Sequence, residues 1–466
     1  MISQILAGVE RVRIDTEKNT LDVLDKVDAI RLGGIDDTHI FALSQVYEGL
    51  LLKMGEKGND GGQFFTPREI IRAMVEVINP QPGETVYDPS CGTGGFLAQS
   101  YEYMRSHLGD EATADQLRTL AQQTFYGREK ESLIYPIALA NLVLHGIDYP
   151  RLWQGNTLTG GEVYGGLFEQ APGQYDVILS NPPFGGKEGK EAQTNFVYKT
   201  SATQMLFLQH IMTTLKKGGR CAIVIDEGVL FRTNETAFVQ SKRKLLEEHN
   251  LWCVISLPAG VFSAAGAGVK ANVLFFTKGQ RTQAIWYYDL SDLKVGKKNP
   301  FTRQRMREFF TLLQTRGDSA YSWTVDFEAR KQRARRDAAP YQAQEHEASA
   351  AADALFQAAD ALKRQATALR SAEQHAAIEE KLAAVKAKQR EAREAAAKAQ
   401  NILDAIYDLK AVNPNAPDTT DYRTPEELLT LIDEQGRAFE EAIGPLRKLF
   451  GVESGARNEG TRELRN

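Results

Sequence analysis

The tetrapeptide Asn181-Pro182-Pro183-Phe184 combines residue types that can activate a planar nitrogen. It directly follows the apolar run 177–179, which predicts a position at the carboxyl end of a strand. An amine attached to an aromatic ring is a poor nucleophile because its lone pair is delocalised into the ring. Two neutral acceptors, the Asn181 side-chain oxygen and the Pro182 carbonyl, can hold the amine hydrogens while the nitrogen turns toward an electrophile. The alternative is a proline loop that only closes the strand.

The other residues of the tetrapeptide favour the chemical interpretation. Proline fixes the backbone and supplies no competing N–H. The Phe184 ring can stack on a base and hold it in line with the electrophile. Since orientation and acceptors drive such a reaction, no deprotonating side chain is required.

A glycine-rich turn, Asp88-Pro89-Ser90-Cys91-Gly92-Thr93-Gly94-Gly95-Phe96, lies between the strand candidate Glu84–Tyr87 and a helical pattern over Phe96–Tyr103. Glycines at a strand-to-helix turn permit positive φ and let the backbone approach a ligand closely. The spacing departs from GxGxxG, and an acid before the glycines suits an ammonium or hydroxyl group better than a pyrophosphate. Taken alone, the segment fits a plain tight turn equally well.

Two further polar residues follow apolar stretches. Glu129 comes after the strand candidate Thr124–Tyr126, where a carboxylate can accept hydrogen bonds from both hydroxyls of a ribose. An exposed glutamate in the charged run 128–131 is the alternative. Asn156 can accept a hydrogen bond from an adenine amino group, and it is the weakest of these candidates.

Short apolar runs alternate with helix-sized intervals over residues 63–330. The strand candidates are Glu84–Tyr87, Thr124–Tyr126, Tyr175–Ser180, Arg220–Ile225, Trp252–Leu257, Asn272–Thr277 and Ala284–Asp289. Such spacing implies crossover connections and a mostly parallel sheet covered on both faces, which is a doubly wound α/β domain. A short turn, Lys278–Gln283, joins the last two runs, so we expect at least one antiparallel pairing at an edge.

The regions on either side of this domain have helical patterns. Residues 1–62 show apolar residues at spacings of three and four. Residues 341–413 contain neither Gly nor Pro, and Leu355, Leu362 and Leu369 recur every seven residues. We expect a helical arm, broken once into a hairpin, that packs on a partner or on itself. A solvated, alanine-rich helix is the alternative. Thr424 and Pro425 predict the start of another helix.

Composition excludes several classes of protein. The 466 residues carry a net charge of −5, with 42% hydrophobic residues and no apolar run long enough to span a membrane. This charge argues against bulk coating of nucleic acid, although it leaves local patches open. Three separated cysteines, seven scattered histidines and no basic, apolar leader predict a cytoplasmic protein without disulfides or a metal.

The glycine turn followed by Asn181–Phe184 resembles the S-adenosylmethionine-dependent N6-adenine DNA methyltransferases. Upstream, Gln63-Phe64-Phe65-Thr66-Pro67-Arg68 resembles the N-terminal cofactor motif of the modification subunits of type I restriction-modification systems. The resemblance implies a Rossmann-like class I methyltransferase sheet over 63–330, flanked by helical regions at 1–62 and 331–466. Only 62 residues precede Gln63, where the family has a larger helical domain, so the chain is either a shorter variant or truncated at its start.

The resemblance also assigns roles to individual residues. Cofactor binding would fall to Gln63, Phe64, Phe65, Thr66, Pro67, Arg68, Asp88, Gly92, Thr93, Gly94, Gly95, Glu129 and Asn156. The adenine would be held by Asn181, Pro182, Pro183 and Phe184, and Phe262 stands where the family has a second aromatic near the extruded base. A core phenylalanine explains Phe262 equally well. Asn156 departs from the aspartate of many relatives.

The partners implied are duplex DNA, a separate specificity subunit docked on 331–466, a second copy of the chain and a restriction subunit. The phosphate-binding candidates are Lys294, Lys297, Lys298, Arg303, Arg305 and Arg307. A second basic run, 330–336, fits a solvated surface or linker at least as well. The alternatives for function are the same chemistry on RNA or on a protein glutamine, and a scaffold without catalysis.

Overall fold

The computed structural model describes residues 66–262, 270–296, 299–366, 372–415 and 423–450, together with Lys18 and Leu21. Several predicted features lie outside these residues. They are the helical pattern over 1–62 (apart from Lys18 and Leu21), the residues Gln63, Phe64 and Phe65, the cations Lys297 and Lys298, and Leu369.

A ten-stranded mixed sheet is the centre of the fold. Its strands are β1 (Val86–Asp88), β2 (Phe125–Glu129), β3 (Arg151–Asn156), β4 (Gly161–Tyr164), β5 (Tyr175–Ser180), β6 (Leu215–Asp226), β7 (His249–Ser256), β8 (Ala271–Lys278), β9 (Ala284–Asp289) and β10 (Ser322–Asp326). Their order across the sheet is β10-β9-β7-β8-β6-β5-β1-β2-β3-β4. Each of the seven strand candidates corresponds to one of these strands, whereas β3, β4 and β10 were not among the candidates.

The helices of the described residues connect and flank these strands. They are α1 (Arg68–Ile78), α2 (Gly95–Leu108), α3 (Ala114–Gln123), α4 (Tyr135–Leu144), α5 (Lys190–Thr194), α6 (Thr203–Thr214), α7 (Glu227–Phe231), α8 (Thr236–Glu248), α9 (Arg307–Leu312), α10 (Phe327–Ala366), α11 (Ala372–Asp404) and α12 (Pro425–Phe450). Short 3₁₀ turns cover Gly166–Phe168, Arg303–Met306 and Ala405–Tyr407. No described helix has a stretch both long and apolar enough to cross a membrane.

The middle of the sheet is parallel, which confirms the doubly wound prediction. Strands β3, β2, β1, β5 and β6 run in parallel, and β8 is antiparallel to both β6 and β7. The expected antiparallel pairing at an edge is present, but it does not involve the two strands joined by the turn 278–283. The turn connects β8 to β9, and these strands do not pair with each other. Strand β9 lies on the far side of β7 and pairs with β7 in parallel. The antiparallel pair at this edge is β9 with β10.

Alternate residues of the central strands are buried on opposite faces. Val86 of β1 lies in one apolar cluster with α1, α2 and α4, whereas Tyr87 lies in the other with α6 and α8. In β5, Val177 and Ile178 divide in the same way. Since both faces are covered, polar groups are accessible mainly at the strand ends, and the parallel strands bring their carboxyl ends to one edge.

The predicted helical arm is a hairpin that packs on itself. Lys398 of α11 lies over the Tyr341 ring of α10, so the two helices run antiparallel. Their buried seam is Ala338, Ala348, Ala352 and Ala359 against Ile378, Val385, Ala395 and Ala399. The heptad leucines Leu355 and Leu362 flank this seam half-buried. Small alanines let the helices approach closely, which is why the seam uses alanine more than leucine.

The end of the hairpin returns to the sheet. Ile406, Tyr407 and Leu409 are buried in the cluster that covers one sheet face. The Tyr287 hydroxyl donates to the Leu409 carbonyl at 3.0 Å, and the Leu409 amide donates to Leu230 at 3.0 Å. The hairpin and the sheet therefore belong to one compact unit that extends to Asn415.

A second unit begins at Ala416 and contains α12. Thr424 caps this helix as predicted: its hydroxyl accepts from the Glu427 amide at 3.2 Å, and the Glu427 carboxylate accepts from the Thr424 amide at 2.8 Å. This reciprocal pair is a capping box. The predicted boundary between residues 330 and 331 remains a prediction.

Candidate active site

A cavity of about 760 Å³ lies at the carboxyl edge of the parallel strands. The glycine turn, Glu129, Asn156 and Asn181 all line it, and so do residues 66–68 at the start of α1. The structure therefore brings together residues that are more than a hundred positions apart in the sequence.

The glycine turn adopts the conformation that its sequence predicts. Gly92 and Gly94 have φ of +54° and +81°, a region that favours glycine, and Gly94 is the N-cap of α2. A Cβ atom on Gly94 would lie 3.1 Å from Leu142 Cδ2, so packing against α4 also favours glycine there. Gly92 and Gly95 of the turn line the cavity and present no side chain to it.

Glu129, at the end of β2, is buried rather than exposed. Its Oε2 accepts from the Gly92 amide at 2.9 Å and its Oε1 from the Glu131 amide at 2.8 Å. Burial raises the pKa of the Glu129 carboxyl to about 7, although these backbone N–H groups oppose the rise. Each oxygen keeps a further lone pair, so the carboxylate can hold the glycine turn and still accept from a ligand.

Asp88, at the end of β1, is 1% exposed. Burial raises the pKa of its carboxyl to about 7, opposed by hydrogen bonds from the Ser90 amide and the Ser180 hydroxyl. The Ser90 and Ser180 hydroxyl oxygens lie 2.9 Å apart. Because Ser180 immediately precedes Asn181, this cluster fixes the glycine turn to the backbone of the tetrapeptide.

Asn181 presents an unpaired acceptor. Its Nδ2 donates to the Thr66 hydroxyl at 3.0 Å, whereas its Oδ1 is buried without a hydrogen-bond partner. A buried polar atom without a partner costs free energy, so the site favours a ligand that donates there. Sequence reasoning assigned Thr66 to the cofactor and missed its contact with Asn181, since no local pattern links positions so far apart.

Within the tetrapeptide, Pro182 is buried, whereas Asn181, Pro183 and Phe184 are partly exposed. The buried Pro182 carbonyl accepts from Gln204 Nε2 at 3.2 Å and keeps one lone pair. Pro183 lines the cavity, whereas Pro182 and Phe184 do not. Phe184 packs edge-on against Phe262, with ring centroids 5.3 Å apart. Phe262 is 2% exposed, so the structure places it in the core beside Phe184, and the base-stacking roles of both rings remain predictions.

Asn156 ends β3 and uses its side chain to shape its own turn. Its Oδ1 accepts from the Leu158 amide at 3.0 Å, which leaves one lone pair toward the cavity. The next residue, Thr157, donates to the Pro89 carbonyl at 2.7 Å and ties this turn to the glycine turn. Apolar parts of the wall come from Phe207, Val261 and Phe301, which no sequence pattern had marked.

The predicted phosphate-binding cations differ in their availability. Arg303 Nε and Nη2 bind the Glu76 carboxylate at 3.1 and 2.7 Å, so its charge is already balanced within the chain. Arg305 bonds to Asn299, whereas Lys294 and Arg307 are exposed. In the second basic run, Lys331 is 7% exposed and pairs with Glu328, so this residue supports the structural interpretation of that run.

The titratable residues that the structure describes do not form a metal site. No group of three or more His, Cys, Asp or Glu residues suited to a metal occurs among the described parts of the chain. The three cysteines, Cys91, Cys221 and Cys253, are free and buried, and burial raises the pKa of each thiol.

Part of this chain is similar to methylase subunits of type I restriction enzymes. The methylase subunit of the type I restriction enzyme EcoEI from Escherichia coli is 38% identical over 270 residues, which cover 57% of this chain and 52% of the relative. The StySPI methylase subunit from Salmonella potsdam is 37% identical over 281 residues, with the same coverage of 57% and 52%. The chain thus spans about half the length of the curated relatives it matches.

Solved structures agree in fold over more of the chain. A chain from a study of complex assembly and conformational transition in the type I R-M system aligns with a TM-score of 0.64 at 31% identity, covering 97% of this chain and 79% of that one. A structure from Vibrio vulnificus, described as a modification subunit of a type I restriction enzyme, gives 0.62 at 33% identity and covers 70% and 68%. The N-6 DNA methylase family model matches residues 38–349. Because that match includes more than half of the residues and all the cavity motifs, the chain belongs to the N-6 DNA methylase family.

Proposed function

We propose that this chain transfers a methyl group from S-adenosylmethionine to N6 of adenine in duplex DNA, as the modification subunit of a type I restriction-modification complex. One observation carries the proposal. A single cavity joins the glycine turn and Glu129 to Asn181, whose Oδ1 is buried and unpaired. The cofactor would occupy one end of this cavity. The substrate amine, which would donate a hydrogen bond to Asn181, would occupy the other end.

The residues at the first end fit S-adenosylmethionine. Asp88 and Glu129 supply buried carboxylates suited to its ammonium group and ribose hydroxyls. Gly92, whose φ is positive, lines the cavity and presents no side chain that would fill it. When bound, the cofactor supplies a methyl group on a positively charged sulfur.

The residues at the second end fit an exocyclic amine. Asn181 Oδ1 and the free lone pair of the Pro182 carbonyl would accept its two hydrogens, which frees the nitrogen lone pair from the ring. Both acceptors are neutral, so they stabilise the positive charge that develops on nitrogen without removing a proton first. Alkylation makes that nitrogen strongly acidic, and its proton can then pass to water.

Adenine in a duplex must leave the base stack to reach Asn181. Extrusion costs a few kcal/mol, and the apolar walls at Phe207 and Phe301 offer a surface on which a planar base can pack. The exposed cations Lys294 and Arg307 are candidates for the phosphates that flank the extruded base.

We infer that sequence choice comes from a separate specificity subunit that binds residues 331–466. Two exposed apolar side chains of the hairpin, Phe356 and Leu382, support this contact, as do Leu429, Ile432 and Phe439 of α12. The relatives are named as subunits of type I restriction enzymes. A second copy of the chain and a restriction subunit complete the proposed assembly.

Substitution of Asn181 tests the chemistry. We expect Asn181→Ala to lower the methyl-transfer rate by about 100-fold or more, because it removes an acceptor used in the transition state, while cofactor binding is retained. Asn250→Ala, on β7 of the same sheet, is the matched control and should transfer at the wild-type rate. Wild-type activity in Asn181→Ala would contradict the acceptor role.

The substrate and the partner are tested in cells that express the chain with and without its neighbouring genes. We expect N6-methyladenine in genomic DNA only when a partner gene is present. Labelled methyl groups in RNA or in protein glutamine would instead support the alternative substrates. If S-adenosylmethionine fails to raise the melting temperature of the chain, a scaffold without catalysis becomes the better account.

A further inference from the structure

We propose that Thr66 is a positioning residue for Asn181: its hydroxyl accepts from the Asn181 amide nitrogen and holds the side chain in the place from which Oδ1 can accept from the target amine. This inference rests on the proposed function and deepens it. It also gives Thr66 a role different from the cofactor contact that the sequence motif suggests. The observation behind it is the 3.0 Å hydrogen bond from Asn181 Nδ2 to Thr66 Oγ1.

The two polar atoms of the Asn181 amide have different surroundings. Nδ2 donates to Thr66 Oγ1, whereas Oδ1 is buried without a hydrogen-bond partner. An oxygen in that place can accept from an amine, whereas a nitrogen there would meet the amine donor to donor. Because a threonine hydroxyl can both donate and accept, the contact with Thr66 fixes the position of the side chain, and the hydrogens of the target amine favour the orientation that offers Oδ1.

The backbone on both sides of Asn181 is already fixed. The Ser180 hydroxyl contacts Ser90 at 2.9 Å, and the Pro182 carbonyl accepts from Gln204 at 3.2 Å. Proline at 182 restricts the backbone further. The rotation of the Asn181 side chain is therefore the freedom that remains, and the contact with Thr66 restricts it.

Thr66 makes one side-chain hydrogen bond among the described residues, the one with Asn181. It precedes Pro67, the N-cap of α1, and the Pro67 carbonyl accepts from the amides of Ile70 and Ile71 at 2.9 and 3.1 Å. No side chain caps this helix through a hydrogen bond. Removing the Thr66 hydroxyl should thus leave α1 intact, which makes a clean substitution possible.

Thr66→Val keeps the shape of the side chain and removes the acceptor. We expect the single-turnover rate at saturating cofactor to fall by about 5- to 30-fold, the effect of losing one hydrogen bond and leaving a donor unpaired. The cofactor Kd and the melting temperature should stay near their wild-type values. Thr66→Ser keeps the hydroxyl and should restore most of the rate. Thr213→Val, which removes an exposed hydroxyl on α6, is the matched control.

The measurement uses the complex purified from cells that express the chain with its neighbouring genes, with labelled S-adenosylmethionine and duplex DNA. Because Thr66 acts through Asn181, Thr66→Val should have no added effect on the residual rate of Asn181→Ala. A weaker cofactor Kd with an unchanged rate at saturation would overturn the inference and return Thr66 to the cofactor. Equal rates for the valine variant and wild type, or no rescue by serine, would also overturn it. Absence of methyl transfer in the wild-type complex would instead refute the proposed function.

Discussion

The two ends of the cavity use different kinds of polar group. The cofactor end has two buried carboxyls, Asp88 and Glu129, each held by backbone N–H groups. At the amine end are two neutral oxygens: Asn181 Oδ1, whose amide nitrogen donates to the Thr66 hydroxyl, and the Pro182 carbonyl, which is not part of the cavity lining and accepts from Gln204. The difference fits the ligands proposed for them. A permanent positive charge and hydroxyls are bound by carboxylates, whereas a charge that develops only during reaction is met by oxygens that do not take the proton.

The largest effect is expected at the glycine turn. Gly94→Ala places a Cβ 3.1 Å from Leu142 Cδ2 at a φ of +81°, a conformation that L side chains rarely adopt, so we expect the turn to shift from its position at the cavity. We expect cofactor affinity to fall by about 100-fold, measured by calorimetry. Gly109→Ala, at the other end of α2, is the control because its φ is +65° but no atom lies within 4 Å of the added Cβ. Equal losses in both variants would mean that backbone strain, and not the shape of the turn, causes the effect.

A smaller effect, confined to the cofactor end, is expected from pH. Burial raises the pKa of both Asp88 and Glu129 to about 7, so their charges are lost as the pH falls through about 7. We expect the cofactor Kd to rise by about tenfold from pH 8 to pH 6, because neutral carboxyls bind an ammonium and hydroxyls less well. The amine end has no titrating acceptor, so the transfer rate at saturating cofactor should change little over the same range.

The stability of the cofactor-free protein should have the opposite pH dependence. Between about pH 4 and pH 7 these two carboxyls bind more protons in the folded than in the unfolded state, so their contribution to the free energy of unfolding decreases as the pH rises. Glu129→Gln should flatten both dependences, measured by chemical denaturation and by binding. Glu111→Gln, at an exposed position, is the control. A Kd in Glu129→Gln that still rises as steeply as in the wild type would assign the titration to other groups.

The sequence predicted those features of the two ends of the cavity that depend on local patterns. Strand candidates and the turn residues that follow them placed Asp88, Glu129 and Asn181 at one sheet edge, as the structure has them. The contacts that hold these residues are long-range and left no local pattern. Thr66 and Gln204 reach the tetrapeptide from positions 115 and 22 residues away. The order of the strands along the chain likewise does not predict that β8 lies between β6 and β7, because tertiary pairing alone decides the order of strands in the sheet.

The smallest effect is expected at Gln204, which is 3% exposed and bridges the amine end to the neighbouring strand. Its Nε2 donates to the Pro182 carbonyl, and its Oε1 accepts from the Asp226 amide at 3.0 Å. Gln204→Leu would leave both backbone groups without this partner, so we expect the transfer rate at saturating cofactor to fall by about fivefold and the melting temperature to drop as well.

Gln204→Glu separates the two consequences because a carboxylate still accepts from Asp226 but repels the Pro182 oxygen. If the hydrogen bond from Gln204 supports the Pro182 carbonyl as an acceptor, the transfer rate of the glutamate variant should fall as that of the leucine variant does. Its cofactor Kd should remain unchanged. Full activity in Gln204→Glu would show that the Pro182 carbonyl functions without a hydrogen bond from α6. The comparison between the two ends of the cavity would then no longer depend on how this carbonyl is held.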